Sequence, residues 1–194
     1  MLKHFKKYWL EYIFLVLLLN EVLCAVGYVR EEIPIKRHAV KEDFMDFEEE
    51  ELSAYLERIF NIPDCVILIS GTELDENLFS DKVIEQLKNT GITDWEEWSP
   101  EGSNGLIALW INGELIEEES HNGKPISYGG YIFNQHYAYL EGYKYLNKAC
   151  IYLDDSLYSL RDSGLNVVVM DQKRDCLIDS VNYGFKDGKI VAER

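Results

Sequence analysis

The fold is decided by one stretch, ACIYLDDSLYSLRDSGLNVVVMDQKRDCLIDSVNY, which spans residues 149–183. It contains three short runs rich in β-branched, aliphatic and aromatic residues, at Ala149–Leu153, Leu165–Met170 and Leu177–Tyr183. Runs of this length and composition predict β-strands. The second and third runs are separated by Gln172–Asp175, a segment with turn-like composition, and Asp154-Asp155 has the residue type that favours a tight turn.

The preceding residues predict a strand, a helix and a hairpin. Cys65–Ile69 is a continuous apolar run, as in a strand buried on both faces. Ser80 or Asp81 can cap a helix that Gly91 ends. The apolar stripe of that helix is Val83, Ile84 and Leu87.

A β-hairpin is predicted next. Leu106–Ile111 reads as a strand, and Asn112-Gly113 is a strong signal for a two-residue hairpin loop leading into Leu115-Ile116. Glu117–Gly123 is predicted to be a polar break. In Tyr131–Tyr145 the odd positions are mostly tyrosine, and this strict alternation predicts strands with one packed face.

These patterns favour packing as the main role of the tyrosines. His136, which falls between them, is expected to project from the opposite strand face.

The N-terminal part divides into two segments. In residues 1–28, Lys3, Lys6 and Lys7 precede an apolar run, Trp9–Tyr28. This run is long enough to span a bilayer. A signal anchor, a cleaved signal peptide and an amphipathic helix packed on the domain or a partner all fit this run. Residues 29–60 are read as a charged connector followed by an amphipathic helix within Glu42–Phe60, and residues 61–194 as the main domain. The signal-anchor and signal-peptide interpretations both put that domain outside the cytoplasmic membrane. It would be attached by a single span in the first case and secreted in the second. Only the N-terminal segment is expected to contact the membrane.

Composition excludes several classes of function. The 194-residue chain has a formal net charge of −16, which disfavours nucleic acid as a partner. Its four cysteines form no CxxC pair, so nothing indicates a zinc ribbon. Cys150 and Cys176 can pair if the domain lies in an oxidising space, although buried free thiols are the commoner outcome. The four histidines are scattered, and we predict no metal, no cofactor and no catalytic constellation.

The quoted stretch resembles the signature of interleukin-like EMT-inducer (ILEI/PANDER-like) domains. That signature has a short strand with a tight turn, a Gly-Leu-Asn-Ile-Val-Val-x-Asp strand, and a partner strand ending in Val-Ile-Asp-Ser-Val. Gly164–Asp171 and Leu177–Val181 match the last two, and the resemblance extends over residues 62–184. It implies an α+β fold: a compact domain of two mainly antiparallel β-sheets with short flanking helices, here preceded by an N-terminal apolar helix.

The resemblance also has differences. The two halves occur in permuted order relative to the secreted animal members. Ser163 stands where the family usually has arginine before its Gly-Leu-Asn phrase, with Arg161 two residues earlier.

Relatives of this type include secreted signalling-like proteins and non-catalytic, sugar-binding appendages of glycosyltransferase systems. The resemblance therefore implies a non-catalytic domain that recognises a glycan or cell-envelope polymer, or assists polysaccharide assembly. Two alternatives are a protein-interaction or signalling-type domain without a small ligand, and a hydrolase that uses acidic residues such as Asp154 and Asp155. The candidate ligand-binding residues are Trp95, Trp98, Arg161 and Asp75.

Overall fold

A computed structural model describes residues 51–74, 76–93, 105–120, 124–143, 148–187 and 189–194. The predicted apolar N-terminal helix and the charged connector lie outside these ranges. Within the described ranges, no helix combines the length and hydrophobicity that crossing a bilayer requires.

The described chain forms an α+β fold with two sheets and two short helices. The helices are α1 (Leu52–Phe60) and α2 (Asp81–Asn89), with a 3₁₀ turn at Glu76–Leu78. The first strands are β1 (Cys65–Thr72), β2 (Leu106–Ile111), β3 (Glu114–Ser120), β4 (Ile126–Tyr131) and β5 (Tyr137–Tyr143). The others are β6 (Lys148–Leu153), β7 (Ser156–Leu157), β8 (Gly164–Asp171), β9 (Cys176–Lys186) and β10 (Lys189–Glu193).

Every strand pairs antiparallel with its neighbours. The larger sheet has six strands in the order β10-β9-β8-β1-β2-β3, and the smaller has four in the order β4-β5-β6-β7. In the larger sheet, Leu68 of β1 lies opposite Leu109 of β2 and Val168 of β8. All eight residues of β1 are buried, which explains its continuous apolar sequence. The two-sheet α+β prediction is therefore confirmed for the described residues.

Two hydrophobic cores cover the two faces of the six-stranded sheet. On one face, Ile67, Ile69 and Val167 pack against both helices. On the other, Val66, Leu68 and Val168 pack against Leu140, Ile151 and other inward-facing residues of the four-stranded sheet. The domain thus has three layers, with the helices, the six-stranded sheet and the four-stranded sheet in that order.

Both ends of α2 carry the predicted signals. The Ser80 side chain accepts a hydrogen bond from the Val83 amide, as an N-cap does. At the other end, Gly91 adopts a φ of +106°, and the amides of Gly91 and Ile92 donate to the carbonyls of Lys88 and Leu87. This pair of bonds is a Schellman motif, so Gly91 ends the helix as predicted. Of the helix predicted within Glu42–Phe60, the part from Leu52 to Phe60 is α1, which begins after the extended backbone of Glu51, and residues 42–50 lie outside the described ranges.

The Asn112-Gly113 hairpin is confirmed, but the polar break after it is wrong. Both loop residues have positive φ, and Ile111 pairs with Glu114 across the turn. The second strand continues to Ser120 and includes Glu117, Glu118 and Glu119, which were assigned to the break. This strand is at the edge of its sheet, where charged residues are tolerated and discourage further strand pairing.

The described part of the alternation in Tyr131–Tyr145 covers the end of β4, a turn and β5, and β5 has one packed face as predicted. The inward row of β5 is Ala138, Leu140 and Gly142, all buried, whereas its tyrosines face outward. His136 lies in the turn between β4 and β5 rather than in a strand. Strand β10 was not predicted.

The described cysteines are Cys65, Cys150 and Cys176, and all are buried and free. The pairing of Cys150 with Cys176 is therefore not formed. Burial is the main cause that raises the pKa of Cys65 and of Cys150 to about 11, and it also raises that of Cys176. The thiolate is the reactive form, so all three thiols should be inert in the folded protein.

This inertness is directly measurable with a thiol reagent. In a Cys24→Ser variant at neutral pH, we expect no reaction of native protein with Ellman's reagent, and reaction of all three described thiols after denaturation. Stoichiometric release of the chromophore within minutes under native conditions would contradict the burial of these side chains.

Candidate functional site

An open cleft of about 430 Å³ lies at one end of the six-stranded sheet. Its walls come from three parts of the chain: the loop after β1, the loop before β8, and the β9–β10 hairpin. Residues that line it include Glu73, Arg161, Asn182, Phe185, Lys186 and Glu193. Its volume is at the lower end of the range of about 300–1,000 Å³ for small-molecule sites.

The loop before β8 is fixed by the buried side chain of Asn166. Its amide oxygen accepts hydrogen bonds from the backbone amides of Leu160 and Arg161, and its amide nitrogen donates to the carbonyls of Arg161 and Ala149. A further bond joins the Ala149 amide to the carbonyl of Asp162 at 2.7 Å. These bonds hold one wall of the cleft in a defined position.

One polar atom that lines the cleft has no hydrogen-bond partner among the described residues. Asn182 is only 3% exposed and lines the cleft. Its amide nitrogen donates to the carbonyl of Ser163 and to Asn166, but in the described part of the chain its amide oxygen accepts no hydrogen bond. This oxygen is not one of the fully buried atoms that lack a partner, so it is open to the cleft, where water or a ligand can donate to it.

Two glycines keep that oxygen reachable. A Cβ at Gly164 would be 3.2 Å from the Asn182 amide oxygen, and one at Gly184 would be 3.4 Å from it. Gly164 also has a φ of +80°, and its Cβ would approach the Tyr183 carbonyl oxygen to 2.6 Å. Glycine at these two positions therefore leaves room above the acceptor.

The remaining lining combines charged groups with one aromatic ring. The Arg161 side chain donates to Glu193 at 2.6 Å, and this hydrogen bond lowers the pKa of Glu193 and raises that of Arg161. Lys186 and Glu73 add one charge of each sign. Phe185 is 46% exposed and gives the cleft an apolar surface. The cleft can thus offer donors, acceptors and a flat apolar face to one ligand.

Of the predicted site residues, the structure places Arg161 on the cleft wall. Asp75, Trp95 and Trp98 lie outside the described residues, although Glu73 and Leu74, just before Asp75, line the cleft. Sequence reasoning missed Asn182, Phe185 and Glu193. The last of these belongs to the unpredicted strand β10, so no local pattern indicated it.

A second polar cluster connects three turns: the β4–β5, β6–β7 and β8–β9 turns. His136 contacts Asp154 with one ring nitrogen and Asp175 with the other, the latter at 2.7 Å. Asp154 also accepts from the Tyr137 amide at 2.9 Å. The Asp154-Asp155 turn is confirmed, with both residues at positive φ. Among the described residues, no group of three or more His, Cys, Asp or Glu side chains could hold a metal ion.

This cluster predicts a pH dependence of stability. Burial lowers the pKa of His136, but the hydrogen bonds to Asp154 and Asp175 outweigh it and leave the pKa above its ordinary value. The stabilisation is therefore complete below about pH 6.5 and is lost as the pH rises through the raised pKa. Because both carboxylates are about half exposed, we expect a change of about 1 kcal/mol or less.

Thermal unfolding of the wild type and of a His136→Gln variant between about pH 5.5 and pH 8.5 measures this effect. The stability difference between the two proteins should shrink as the pH rises. A difference that is constant across the range would contradict a role for the imidazolium.

No family model, curated protein or solved structure matches the chain. The resemblance to interleukin-like EMT-inducer domains therefore stays a prediction, carried by the residues quoted for it.

Proposed function

We propose that this domain is a non-catalytic binding module that holds a single glycan residue in the cleft. The observation that carries the proposal is the unpaired amide oxygen of Asn182, at the floor of a cleft that also contains Phe185 and charged side chains. The resemblance of residues 62–184 to a family with sugar-binding members supports the same function.

The cleft matches the chemistry of a sugar. A pyranose has hydroxyl groups that both donate and accept, and one face of C–H groups that packs on an aromatic ring. Asn182 and Glu73 supply acceptors, Lys186 supplies donors, and Phe185 supplies the apolar surface. Ligand sites commonly combine an apolar wall with a few polar groups that fix the orientation.

The charges of the cleft favour binding over hydrolysis. A glycosidase needs a carboxylic acid whose pKa is raised, so that it can protonate the leaving group. The bond from Arg161 lowers the pKa of Glu193, which is the opposite direction. Elsewhere, Asp154 accepts hydrogen bonds from His136 and the Tyr137 amide, as a residue that fixes a turn does.

A glycan-array screen of the full-length chain in mild detergent tests the proposal. We expect binding to a defined set of glycans, weakened about tenfold or more by Phe185→Ala and by Gly184→Ala, which fills the space above the Asn182 oxygen. Ile116→Ala is the matched control, because Ile116 is as exposed as Phe185, at 46%, and lies on the edge strand β3.

Two outcomes would reject the cleft as the site. One is binding that all cleft variants leave unchanged. The other is a folded protein that binds no glycan on the array, which would favour the protein-interaction alternative.

The location of the domain outside the cytoplasmic membrane is part of the same proposal. It rests on the three lysines before the apolar run at Trp9–Tyr28, which favour a cytoplasmic N-terminus. Addition of protease to intact cells should cleave the domain if it is outside. Protection until the cells are lysed would place it inside and overturn this part.

A further inference from the structure

The four-stranded sheet presents a face of tyrosines to solvent. The register puts Tyr131 opposite Tyr137, and Gly129, Tyr139 and Tyr152 in the next row. Tyr131 is 75% exposed and Tyr137 is 40% exposed. We call this surface the tyrosine face and define it by the outward residues Tyr131, Tyr137, Tyr139, Glu141, Lys148 and Tyr152.

One ring of the tyrosine face extends over a glycine of the neighbouring strand. A Cβ at Gly129 would be 2.4 Å from the Tyr137 hydroxyl, so the hydroxyl end of the Tyr137 ring lies over the bare backbone of Gly129. Tyr131 stands at 76° to that ring, with the centroids 5.4 Å apart. The two rings are thus nearly perpendicular, and both are accessible to solvent.

The aromatic surface continues away from this corner. Tyr139 is two residues beyond Tyr137, about 7 Å along the strand. Its ring is 6.3 Å from that of Tyr152 on the next strand. The surface is therefore longer than one ring and can contact several units of a chain.

A polar row borders the rings. Glu141 accepts from the Tyr139 hydroxyl at 3.2 Å and from Lys148 at 2.6 Å, both through the same carboxylate oxygen. The other carboxylate oxygen accepts no hydrogen bond in the described part of the chain. The tyrosine face thus offers flat rings, and beside them a free acceptor and an ammonium group.

We infer that the tyrosine face binds an extended run of a neutral pyranose polysaccharide. Pyranose units stack their C–H faces on flat aromatic rings and direct their hydroxyls sideways, where Glu141 and Lys148 lie. The net charge of −16 disfavours an anionic polymer. This inference extends the proposed glycan binding to a second surface, and a separate set of variants tests it.

Calorimetric titration of the full-length chain with linear glucose oligosaccharides is the test. Disaccharides and hexasaccharides with β-1,4, β-1,3 and α-1,4 linkages serve as probes. We expect at least one hexasaccharide to bind about tenfold or more tightly than its disaccharide, because the surface from Tyr137 to Glu141 extends about 14 Å along β5 and only the longer chain covers all of it. Tyr131→Ala should weaken that binding about tenfold, while Ile116→Ala, at an exposed position of the other sheet outside both proposed sites, leaves it unchanged.

Tyr131→Leu keeps an apolar side chain at this position but removes the flat ring, and so separates stacking from general hydrophobicity. We expect it to lose hexasaccharide binding as Tyr131→Ala does. Three results would overturn the inference: no binding of any hexasaccharide, binding that Tyr131→Ala leaves intact, or a self-associated chain, seen by sedimentation, that Tyr131→Ala dissociates. The cleft proposal is not affected by these results, because its variants lie on the other sheet.

Discussion

Replacing Asn166 with leucine is expected to destabilise the domain by about 3–5 kcal/mol, close to the whole stability of many domains. The side chain is fully buried and makes hydrogen bonds to the backbone of Leu160, Arg161 and Ala149. Leucine has a similar size but leaves those amides and carbonyls without partners. An unsatisfied buried group costs about 1–3 kcal/mol, and several are created at once. Chemical denaturation monitored by circular dichroism measures the loss.

Two further variants show whether hydrogen bonding is the cause. Asn166→Asp keeps the shape but points a carboxylate oxygen at the carbonyls of Ala149 and Arg161. It should also destabilise, and recover in part at low pH, where a protonated acid can donate one bond. Asn134→Ala is the control, because Asn134 is exposed and its hydrogen bonds are to other exposed groups. A stability of Asn166→Leu within about 1 kcal/mol of the wild type would contradict the argument.

The Asn166 network gives a physical reason for the Gly-Leu-Asn phrase that suggested a family. Gly164 is needed because a Cβ would collide with the Tyr183 carbonyl oxygen. Leu165 belongs to the core that packs against the helices, and Asn166 fixes the loop before the strand. The same loop carries Arg161 into the cleft. A signature that describes the fold therefore also determines the position of one wall of the candidate site.

The strands that could be predicted are those buried on both faces. β1 and β8 are continuous apolar runs because the helices cover one side and the smaller sheet covers the other. The edge strands β3 and β10 face solvent and carry charges, so their composition resembles that of a loop. Hairpin and helix-end signals were reliable because they depend on local backbone geometry, as at Asn112-Gly113 and Gly91.

The tyrosine alternation gave the correct period of β5 but did not identify the buried row. Alternation shows that two faces differ, not which of them is buried. Here the buried row of β5 consists of Ala138, Leu140 and Gly142. Two of the three residues are small, and at Gly142 the two sheets approach closely. The larger tyrosines fit only on the outside. At Gly142 the backbone of the other sheet leaves no room for a larger side chain, and the distance between the sheets cannot be read from one sequence.

Residues of the candidate site could be predicted only where a sequence motif lies next to them. Arg161 could be proposed from the sequence because it lies three residues before the Gly164-Leu165-Asn166 motif. Asn182 and Glu193 meet it only because β9 pairs with both β8 and β10. The turn-like segment Gln172–Asp175 indicated the first of these pairings, but no pattern indicated β10, so the cleft could not be assembled before the topology was known.

The close approach of the sheets leads to a second large effect, at Gly105. A Cβ there would be 2.6 Å from the Gly142 carbonyl oxygen and 2.7 Å from its carbon. Both atoms are backbone, in the inward row of β5, and they cannot rotate away as the end of a side chain can. On the neighbouring strands, the Ser70 hydroxyl donates to the Glu141 carbonyl at 2.5 Å, which also holds the sheets together. Gly105→Ala should therefore destabilise the domain by about 3 kcal/mol or more, the upper end for overpacking.

Gly113→Ala separates this crowding from the loss of glycine's backbone freedom. Gly113 has a φ of +78° but no atom within 4 Å of its added Cβ, so alanine there meets conformational strain alone, at about 1 kcal/mol. Gly105 lacks a positive φ, so its larger effect would come from contact between the sheets. Denaturation of the two variants in parallel gives the comparison. If Gly105→Ala unfolds no more easily than Gly113→Ala, the sheets do not approach as closely at this corner as the structure places them.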